Sequence, residues 1–290
     1  MGLVDNQTNI NSITDDSNAS KSYYQAENLY LNSWFQVTQI DYEKLIKEYS
    51  FNNLFKGFAK NQLKLLDLGC GTAKFSSLLD KKLDGNIHLL ADLLDISEYC
   101  LQVAQKQFDS FQHFSTNKTY LSATENLQQF VYKTNSYDII WAIHSLYTVD
   151  QNRMADVYLY CLDLLGYNGK FLIYQLAEKS SYKNLYSFYL SHYPERKNTR
   201  YFLTSEEHQQ ILDTLGINYE NIRLHFSHRI NCESKDILEI YLKKCVLDNT
   251  LDVLNFFQPI LQEYFDRENN QYKFDQVVDL LIIKKASLMG

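Results

Sequence analysis

Residues 65–75 have the sequence Leu-Leu-Asp-Leu-Gly-Cys-Gly-Thr-Ala-Lys-Phe, and this stretch decides the fold. An apolar run from Leu63 to Leu68 leads into a tight turn at Gly69-Cys70-Gly71, and Phe75 begins a helical pattern of apolar residues. A strand, a glycine turn and a helix in this order open the nucleotide-cofactor class of α/β domains. Glycines let the backbone approach a ligand closely, and the start of the helix adds N–H groups that have no partner within the helix.

The acidic residue Asp67, two positions before Gly69, indicates the kind of cofactor. A dinucleotide-binding turn requires Gly-x-Gly-x-x-Gly, but Lys74 stands at the place of the third glycine. The string resembles instead the Asp-x-Gly-x-Gly-x-Gly signature of class I S-adenosylmethionine methyltransferases, with Ala73 in place of the usual last glycine. That cofactor has no phosphate and carries a sulfonium and an amino group, so a carboxylate at the turn suits it. The resemblance implies S-adenosylmethionine as cofactor, held in part by Asp67, Gly69 and Gly71.

Composition argues against a nucleic-acid or membrane protein. The chain has 290 residues, of which 45% are hydrophobic, enough for one large domain or a domain with a lid. Its net charge is −7 and it has no dense run of Lys and Arg, which argues against nucleic acid as substrate. The sequence contains no signal peptide and no apolar stretch of about 18 residues, so we expect no membrane partner.

The cysteines and histidines give no metal or disulfide pattern. The five cysteines are scattered and lack Cys-x-x-Cys spacing, so we expect reduced thiols in a cytoplasmic protein. The seven histidines form no ligand pattern with cysteines or carboxylates, and we expect no metal. Nothing in the sequence fixes the oligomeric state, for which a monomer is our expectation.

Apolar runs and amphipathic patterns alternate along most of the chain, which predicts a parallel sheet with helices on both faces. Strands are predicted at 63–68, 87–94, 119–121, 137–143, 170–176, 219–229 and 274–285. Helices are predicted within 21–60, from 97, around 154–165, from 179 toward 202, at 204–216 and within 234–265. The predicted fold class is α/β: a seven-stranded, mostly parallel Rossmann-like methyltransferase sheet with helical lid insertions.

The same patterns divide the chain into four segments. Residues 1–20 are polar, rich in Asn, Asp, Ser and Thr, and are expected to be disordered. We predict an N-terminal helical cap at 21–60 and an S-adenosylmethionine-binding core at 61–176. The remaining core strands and the substrate-lid helices are predicted at 177–290.

A carboxylate at the end of the second strand should accept hydrogen bonds from the ribose hydroxyls. Asp92 and Asp95 are both candidates, and we prefer Asp95 because Asp95-Ile-Ser-Glu resembles the Asp-x-Ser-x string of the family. Ser122 and Thr124 stand where the family contacts the adenine, but either one could equally be a plain helix cap. Ile143, at the end of the fourth strand, completes the predicted cofactor-binding set.

His144 follows that strand, at the edge of the sheet that faces the transferred methyl group in class I enzymes. Its imidazole could accept a proton or orient a nucleophile near neutral pH, although a lone histidine is more often structural. Methyl transfer from a sulfonium to a neutral amine requires alignment of the reacting atoms rather than a strong base. We therefore predict that His144 contacts the substrate and is the catalytic residue.

Four tyrosines at 182, 186, 189 and 193 form one stripe of a helix after the fifth strand. Such a stripe can pack against the core. It can also line a pocket for an ammonium group through cation–π contacts. The sequence leaves both interpretations open.

Residues 60–285 resemble the histamine N-methyltransferase family more closely than other methyltransferases. The segment 137–149 is similar to the fourth-strand string of that family, with His144 in place of its Gln. Tyr182 and Tyr186 stand where the family places tryptophans, Tyr241 stands for its Phe, and Gln276 stands for its Asn. A helical insert at 234–265 before the last strand is also shared.

The resemblance implies a substrate pocket for a small amine. An N-terminal carboxylate of the family falls near Gln39, Asp41 and Glu43, with no unique choice among them. The predicted substrate-binding residues are Tyr30, Trp34, Gln39, His144, Tyr147, Tyr182, Tyr186, Tyr241 and Gln276.

These observations predict an enzyme that N-methylates a small, cationic amine by in-line transfer from S-adenosylmethionine. Two alternatives remain open. The first is O- or C-methylation of a small aromatic compound with His144 as the base. The second is a non-catalytic methyltransferase-like scaffold that binds the cofactor or a protein.

Overall fold

A computed structural model of the protein describes residues 31–131, 133–147, 149–198 and 202–285. The tail expected at 1–20 and the predicted substrate residue Tyr30 lie outside these ranges. Within the described ranges, no helix is both long enough and apolar enough to span a bilayer. The segment boundaries given above stay predictions.

The strands of the described residues form one sheet. They are β1 (Gln62–Leu68), β2 (His88–Asp95), β3 (Phe114–Leu121), β4 (Tyr137–Ile143), β5 (Leu165–Leu176), β6 (Tyr219–Asn231), β7 (Phe265–Asp266) and β8 (Gln271–Lys284). Their order is β3-β2-β1-β4-β5-β8-β6, and β7 pairs only with β8. The first five strands run parallel, whereas β8 runs antiparallel to both β5 and β6. The predicted seven-stranded, mostly parallel sheet is thereby confirmed, with the two-residue β7 added.

Helices cover both faces of this sheet. They are α1 (Leu31–Glu48), α2 (Phe51–Lys56), α3 (Lys74–Asp80), α4 (Glu98–Phe108), α5 (Gln151–Leu164), α6 (Ser181–His192), α7 (Ser205–Thr214), α8 (Lys235–Val246) and α9 (Val253–Leu261). Short 3-10 helices lie at Thr124–Gln129, Pro194–Asn198 and Gln262–Tyr264. A capping box begins α7, with Glu207 accepting hydrogen bonds from the backbone N–H and hydroxyl of Thr204.

The central strands are apolar throughout because both of their faces are buried. All seven residues of β4 are buried. In β1, Leu65 belongs to the hydrophobic core on one side of the sheet and Leu66 to the core on the other side. Alternation of side chains between two apolar layers removes the polar positions that a half-exposed strand would show. The continuous apolar runs in the sequence result from this burial of both faces.

Two predicted strand starts differ most from the structure, each for a physical reason, and the predicted helical insert is resolved into its parts. Strand β3 has eight residues rather than three, since this edge strand exposes polar side chains and lacks an apolar run. Strand β5 begins at Leu165, before Gly169, and a register shift against β4 accommodates the irregular start. The insert at 234–265 is two helices, because Leu247 adopts a left-handed conformation (φ +51°) that ends α8.

Candidate functional site

The carboxyl ends of β1, β2 and β4 lie side by side in the sheet, and each one carries a polar residue of the predicted site. Asp67 lies in β1, Asp95 ends β2, and His144 follows β4. In an open α/β sheet, ligands bind outside the carboxyl ends of the strands, near the point where the strand order reverses. The order β2-β1-β4 places that reversal between β1 and β4.

The glycine turn after β1 is held against β2 by two backbone hydrogen bonds. The N–H groups of Gly69 and Cys70 both donate to the carbonyl of Leu94, at 2.8 and 3.0 Å. Gly69 and Gly71 have positive φ angles of 73° and 53°. Ala73 has a φ of 60°, which explains why glycine is usual at this position of the signature and indicates strain in this chain.

Gly69 and Gly71 differ in the space around them, which gives a matched pair of variants. A Cβ on Gly69 would lie 2.5 Å from Ser145 Cβ, whereas a Cβ on Gly71 would meet nothing within 4 Å. We expect Gly71→Ala to cost about 1 kcal/mol of stability from backbone strain. Gly69→Ala should cost about 3 kcal/mol because overpacking adds to that strain. Urea unfolding measures both, and a Ser145→Gly change should restore part of the loss only in Gly69→Ala.

Asp95 and Asp92 differ in the kind of partner that holds each carboxylate: backbone N–H groups of the glycine turn and the next helix hold Asp95, whereas two side chains hold Asp92. Asp95 accepts one backbone hydrogen bond from Gly71 and one from Ser97, each 2.9 Å long. Burial raises the pKa of Asp95, and these two backbone donors partly oppose the rise. Asp92 instead accepts hydrogen bonds from Tyr137 at 2.5 Å and Asn117 at 2.7 Å.

Asp67 is a buried carboxylate that accepts no hydrogen bond from any residue the structure describes. It is 5% exposed. Burial, together with the charge of Asp95, raises its pKa to about 7. The Trp141 side chain lowers that pKa in part, although its indole N–H makes no hydrogen bond of good geometry. A buried anion without a donor fits a ligand that brings positive charge.

If Asp67 binds the cofactor, its raised pKa is expected to make that binding depend on pH. Below about pH 7 this carboxylate is mostly protonated, so the form that attracts a cation is lost as the pH falls. We expect the affinity for S-adenosylmethionine to be about tenfold lower at pH 6 than at pH 8. Calorimetric titration at several pH values measures this change. The variant Asp67→Asn should bind weakly with a flatter pH profile, and an unaltered profile would contradict the assignment.

The other predicted cofactor residues lie beside Asp95 or at the end of β4. The backbone N–H of Ser122 donates to the carbonyl of Asp95 at 3.0 Å, and Ser122 and Thr124 are both buried. Neither side chain caps the 3-10 helix that starts at Thr124, since the cap position belongs to Ala123. Ile143 is 8% exposed at the end of its strand.

Lys244 of α8 also reaches this region, and the sequence did not indicate it as a site residue. The Lys244 ammonium lies 5.8 Å above the ring of Trp34. Burial is the main reason that its pKa is lowered to about 7, and the nearby Asp95 carboxylate opposes the shift. The helical insert therefore brings a titratable amine next to the carboxylate at the end of β2.

His144 lies over α1, where a buried carboxylate faces it. The φ of His144 is 54°, in the left-handed region. Its Nδ1 atom is hydrogen-bonded to the hydroxyl of Tyr147, and its Nε2 atom lies 3.7 Å from Asp41 Oδ2. That second distance is too long for a hydrogen bond. Burial lowers the pKa of His144 to about 4, although the charge of Asp41 raises it, so the imidazole is neutral at pH 7.

The structure distinguishes Asp41 from the other two N-terminal candidates. Asp41 is 5% exposed and lies on the buried face of α1 with Val37 and Leu45. Gln39 donates instead to Glu43 at 2.6 Å on an exposed face of the helix. Residues two apart on a helix point in nearly opposite directions, whereas residues four apart share a face. The prediction of Gln39 as a substrate residue therefore does not fit its position.

His228 contacts Asp41 as well, and it was not identified from the sequence as a site residue. It is fully buried in β6, with Nε2 2.5 Å from Asp41 Oδ1 and Nδ1 2.9 Å from the hydroxyl of Tyr241. The sequence does contain a signal for a buried His228, because Leu224 and Ile230 lie on the same inward face of the strand. A histidine on an otherwise apolar strand face marks a buried polar contact.

Aromatic rings surround the Asp41 cluster. Trp34 stacks on Tyr182 and Tyr241, with ring centroids 5.8 and 5.5 Å apart. Phe202 stacks on Tyr147 and lies 5.1 Å from the ring of Tyr186. The rings of the predicted substrate residues thus form two groups, one that includes Tyr182 and Tyr241 beside His228 and one that includes Tyr147 beside His144.

The tyrosine stripe of α6 divides between the two interpretations left open by the sequence. Tyr182 lies in the aromatic group around Asp41, with its ring 5.4 Å from that of His228. Tyr189 is fully buried and donates to Asp248 at 2.9 Å, and Tyr193 stacks on Phe256 of α9. The first half of the stripe therefore faces the candidate pocket, and the second half packs against the lid helices.

Tyr42 connects the Asp41 cluster with the glycine turn. Its ring lies 6.0 Å from that of His144 and 5.9 Å from that of Phe75. Burial raises the pKa of Tyr42, and the charges of Asp41 and Asp67 raise it further. Both carboxylates therefore lie close enough to affect the pKa of the Tyr42 hydroxyl, so the group around Asp41 lies next to the glycine turn. Among the described residues, no group of His, Cys, Asp and Glu is arranged to hold a metal ion.

Comparison with known proteins agrees with this geometry. A family model described as "Methyltransferase domain" matches residues 59–211. Histamine N-methyltransferase of Bos taurus is 26% identical in an alignment 172 positions long, which covers 57% of this chain and 58% of the cattle protein. The match therefore spans less than two thirds of the length of that relative.

Solved structures share the fold at low sequence identity. The YcgJ protein of Bacillus subtilis gives a TM-score of 0.54 at 13% identity, covering 86% of this chain and 99% of that one. A SAM-dependent methyltransferase of Leishmania major gives a TM-score of 0.52 at 12% identity, covering 92% of this chain and 81% of that one. At these identities the likeness concerns the fold alone.

Proposed function

The chain belongs to the methyltransferase-domain family, and from this premise we propose that it transfers a methyl group from S-adenosylmethionine to an amine nitrogen of a small, cationic metabolite. The observation that carries the choice of acceptor is the buried Asp41 carboxylate inside a group of aromatic rings. The cattle relative, named for histamine, supports an amine acceptor.

The residues at the carboxyl ends of β1 and β2 fit S-adenosylmethionine. Asp67 offers a buried carboxylate without a donor among the described residues, which suits the positive charge of the cofactor. Gly69 lets the turn pack directly against Ser145 after β4, and the space around Gly71 is open, so the backbone there is accessible to a ligand. Asp95 is positioned for the ribose hydroxyls beside Ser122. S-adenosylmethionine, when bound, supplies an electrophilic methyl group on a sulfonium centre.

The acceptor side is suited to a cation. Asp41 supplies a fixed negative charge, and the faces of Trp34, Tyr182 and Tyr241 are stacked nearby. Aromatic faces attract ammonium groups and also exclude water, which strengthens an ion pair in the pocket. Orientation of a neutral nitrogen toward the methyl group is then the main contribution required of the protein.

The geometry supports the O- or C-methylation alternative less well. A general base needs a nitrogen that can take a proton, but His144 Nδ1 is occupied by Tyr147 and Nε2 faces a carboxylate. Burial lowers the pKa of His144 to about 4, which makes it a weak base at neutral pH. We therefore assign His144 the role of lining and orienting the acceptor rather than accepting its proton. A non-catalytic scaffold would need no third buried carboxylate, Asp41, in addition to Asp67 and Asp95.

The test is incubation of the purified protein with methyl-labelled S-adenosylmethionine and a panel of small amines including histamine, phenols and carboxylates. Mass spectrometry should detect labelled product from an amine. The variant Asp95→Ala serves as the control for cofactor-dependent labelling. Labelling of phenols alone would overturn the proposal in favour of O-methylation. Cofactor binding without any labelled product, also in cell extract, would favour the scaffold.

A further inference from the structure

A chain of hydrogen bonds connects Gln276 of β8 with Asp41 of α1. Gln276 Nε2 lies 3.3 Å from the hydroxyl of Tyr241, and that hydroxyl lies 2.9 Å from His228 Nδ1. His228 Nε2 lies 2.5 Å from Asp41 Oδ1. Each of the four side chains is at most 5% exposed, so water does not take the place of any of these partners.

The direction of each bond in this chain follows from its chemistry. Gln276 Nε2 also donates to the carbonyl of Phe274 at 3.3 Å, which fixes the orientation of the amide. Tyr241 therefore accepts from Gln276 and uses its only proton toward His228 Nδ1. That nitrogen must accept, so the neutral His228 ring carries its proton on Nε2 and donates it to Asp41. A doubly protonated His228 would leave the Tyr241 proton without an acceptor.

His144 faces the other oxygen of Asp41, and it also points an Nε2–H group toward that carboxylate. The Tyr147 hydroxyl accepts a hydrogen bond from the backbone N–H of Leu176 at 3.4 Å. It therefore donates its own proton to His144 Nδ1. This leaves the proton of the neutral His144 ring on Nε2, which faces Asp41 Oδ2 at 3.7 Å. Two imidazole N–H groups thus point toward one carboxylate, one of them bonded to it and the other separated by a gap.

We propose that His228 is a positioning residue, which holds Asp41 through Oδ1 so that Oδ2 is presented to the cationic group of the acceptor. Tyr241 and Gln276 act through His228 by fixing the nitrogen that carries the proton. This inference rests on the proposed function, since it concerns the same acceptor pocket. It also limits the acceptor: because both imidazole N–H groups point toward Asp41, the group held at Oδ2 is one that donates hydrogen bonds to the carboxylate.

NMR spectroscopy of the imidazole nitrogens tests the chain without any substrate. Protein labelled with ¹⁵N-histidine should show His228, identified by the loss of its signals in His228→Gln, with a proton on Nε2 and none on Nδ1. Tyr241→Phe removes the donor to Nδ1 while keeping the ring that stacks on Phe274. This variant should change the Nδ1 signal of His228 strongly. A proton on Nδ1 of His228 in the wild-type protein would overturn the proposal.

Kinetics separate positioning from a purely structural role. His228→Gln retains an N–H that can reach Asp41, whereas His228→Leu does not. With the amine that gives the most labelled product, we expect KM to rise about tenfold in His228→Leu, with a much smaller change in kcat. His228→Gln should recover most of the loss, and the Kd of S-adenosylmethionine should stay unchanged in both variants.

Two outcomes of these measurements contradict the inference. Equal KM values in His228→Leu, His228→Gln and the wild type would show that Asp41 needs no support from this ring. A parallel loss of cofactor affinity would show a general structural defect instead. If the wild-type protein methylates no amine, the proposed function fails, while the NMR measurement still decides whether the hydrogen-bond chain exists.

Discussion

Replacement of Asp95 by alanine is expected to weaken the binding of S-adenosylmethionine by about 1000-fold. In the proposed function this carboxylate accepts two hydrogen bonds from the ribose, and each bond to a charged group contributes about 2 kcal/mol. The loss of about 4 kcal/mol corresponds to this factor. Isothermal titration calorimetry of the purified variant measures it directly.

Asp95→Asn separates ligand binding from the shape of the turn. Asp95 also accepts hydrogen bonds from Gly71 and Ser97, so alanine removes two contacts within the protein. Asparagine has the same shape and keeps one acceptor oxygen. We expect the affinity of Asp95→Asn for S-adenosylmethionine to lie between those of the wild type and Asp95→Ala, with little change in the unfolding midpoint.

Asp92→Asn is the matched control, because this carboxylate lies three residues earlier on the same strand. Its partners are Tyr137 and Asn117, both within the protein. The substitution should lower the free energy of unfolding and leave the Kd of S-adenosylmethionine within about threefold of the wild-type value. A larger loss of affinity in Asp92→Asn than in Asp95→Asn would reverse the assignment.

The part of the fold that could be predicted from the sequence is the part whose residues are constrained locally. Strand β4 was predicted at 137–143 without error, because burial on both faces leaves a continuous apolar run. The turn at Gly69 was recognisable since its positive φ favours glycine whatever the rest of the fold. Strand β3 was underestimated because an edge strand needs few apolar residues, and its pairing with β2 cannot be seen in its own sequence.

The acceptor side of the site could be predicted only in part, because it depends on contacts between distant segments. Asp41 and His228 are 187 residues apart and meet through the packing of α1 against β6. No local pattern of either segment encodes that contact. The helical phase was nevertheless available: Asp41 lies four residues after Val37 and four before Leu45, the buried positions of α1. That spacing favours Asp41 over Gln39, which shares its face with the exposed Glu43.

Removal of the charge at Asp41 is expected to lower kcat/KM for a cationic amine by about 100-fold in Asp41→Asn. A buried ion pair that loses one partner typically costs about 3 kcal/mol, since the remaining charge stays desolvated. Asparagine keeps an oxygen for His228 Nε2–H, so the hydrogen-bond chain can persist while the charge is removed. The steady-state rate with labelled S-adenosylmethionine measures the loss.

The size of this effect separates a charge-selective pocket from one that only fits the shape of its ligand. Gln39→Ala, on the exposed face of the same helix, should stay within about twofold of the wild-type rate and controls for disturbance of α1. The affinity of Asp41→Asn for S-adenosylmethionine should also be unchanged, since Asp67 and Asp95 are intact. If Asp41→Asn retains the wild-type kcat/KM, the negative charge does not select the acceptor. The aromatic rings around Trp34 would then select it by shape alone, and an uncharged acceptor would fit the pocket equally well.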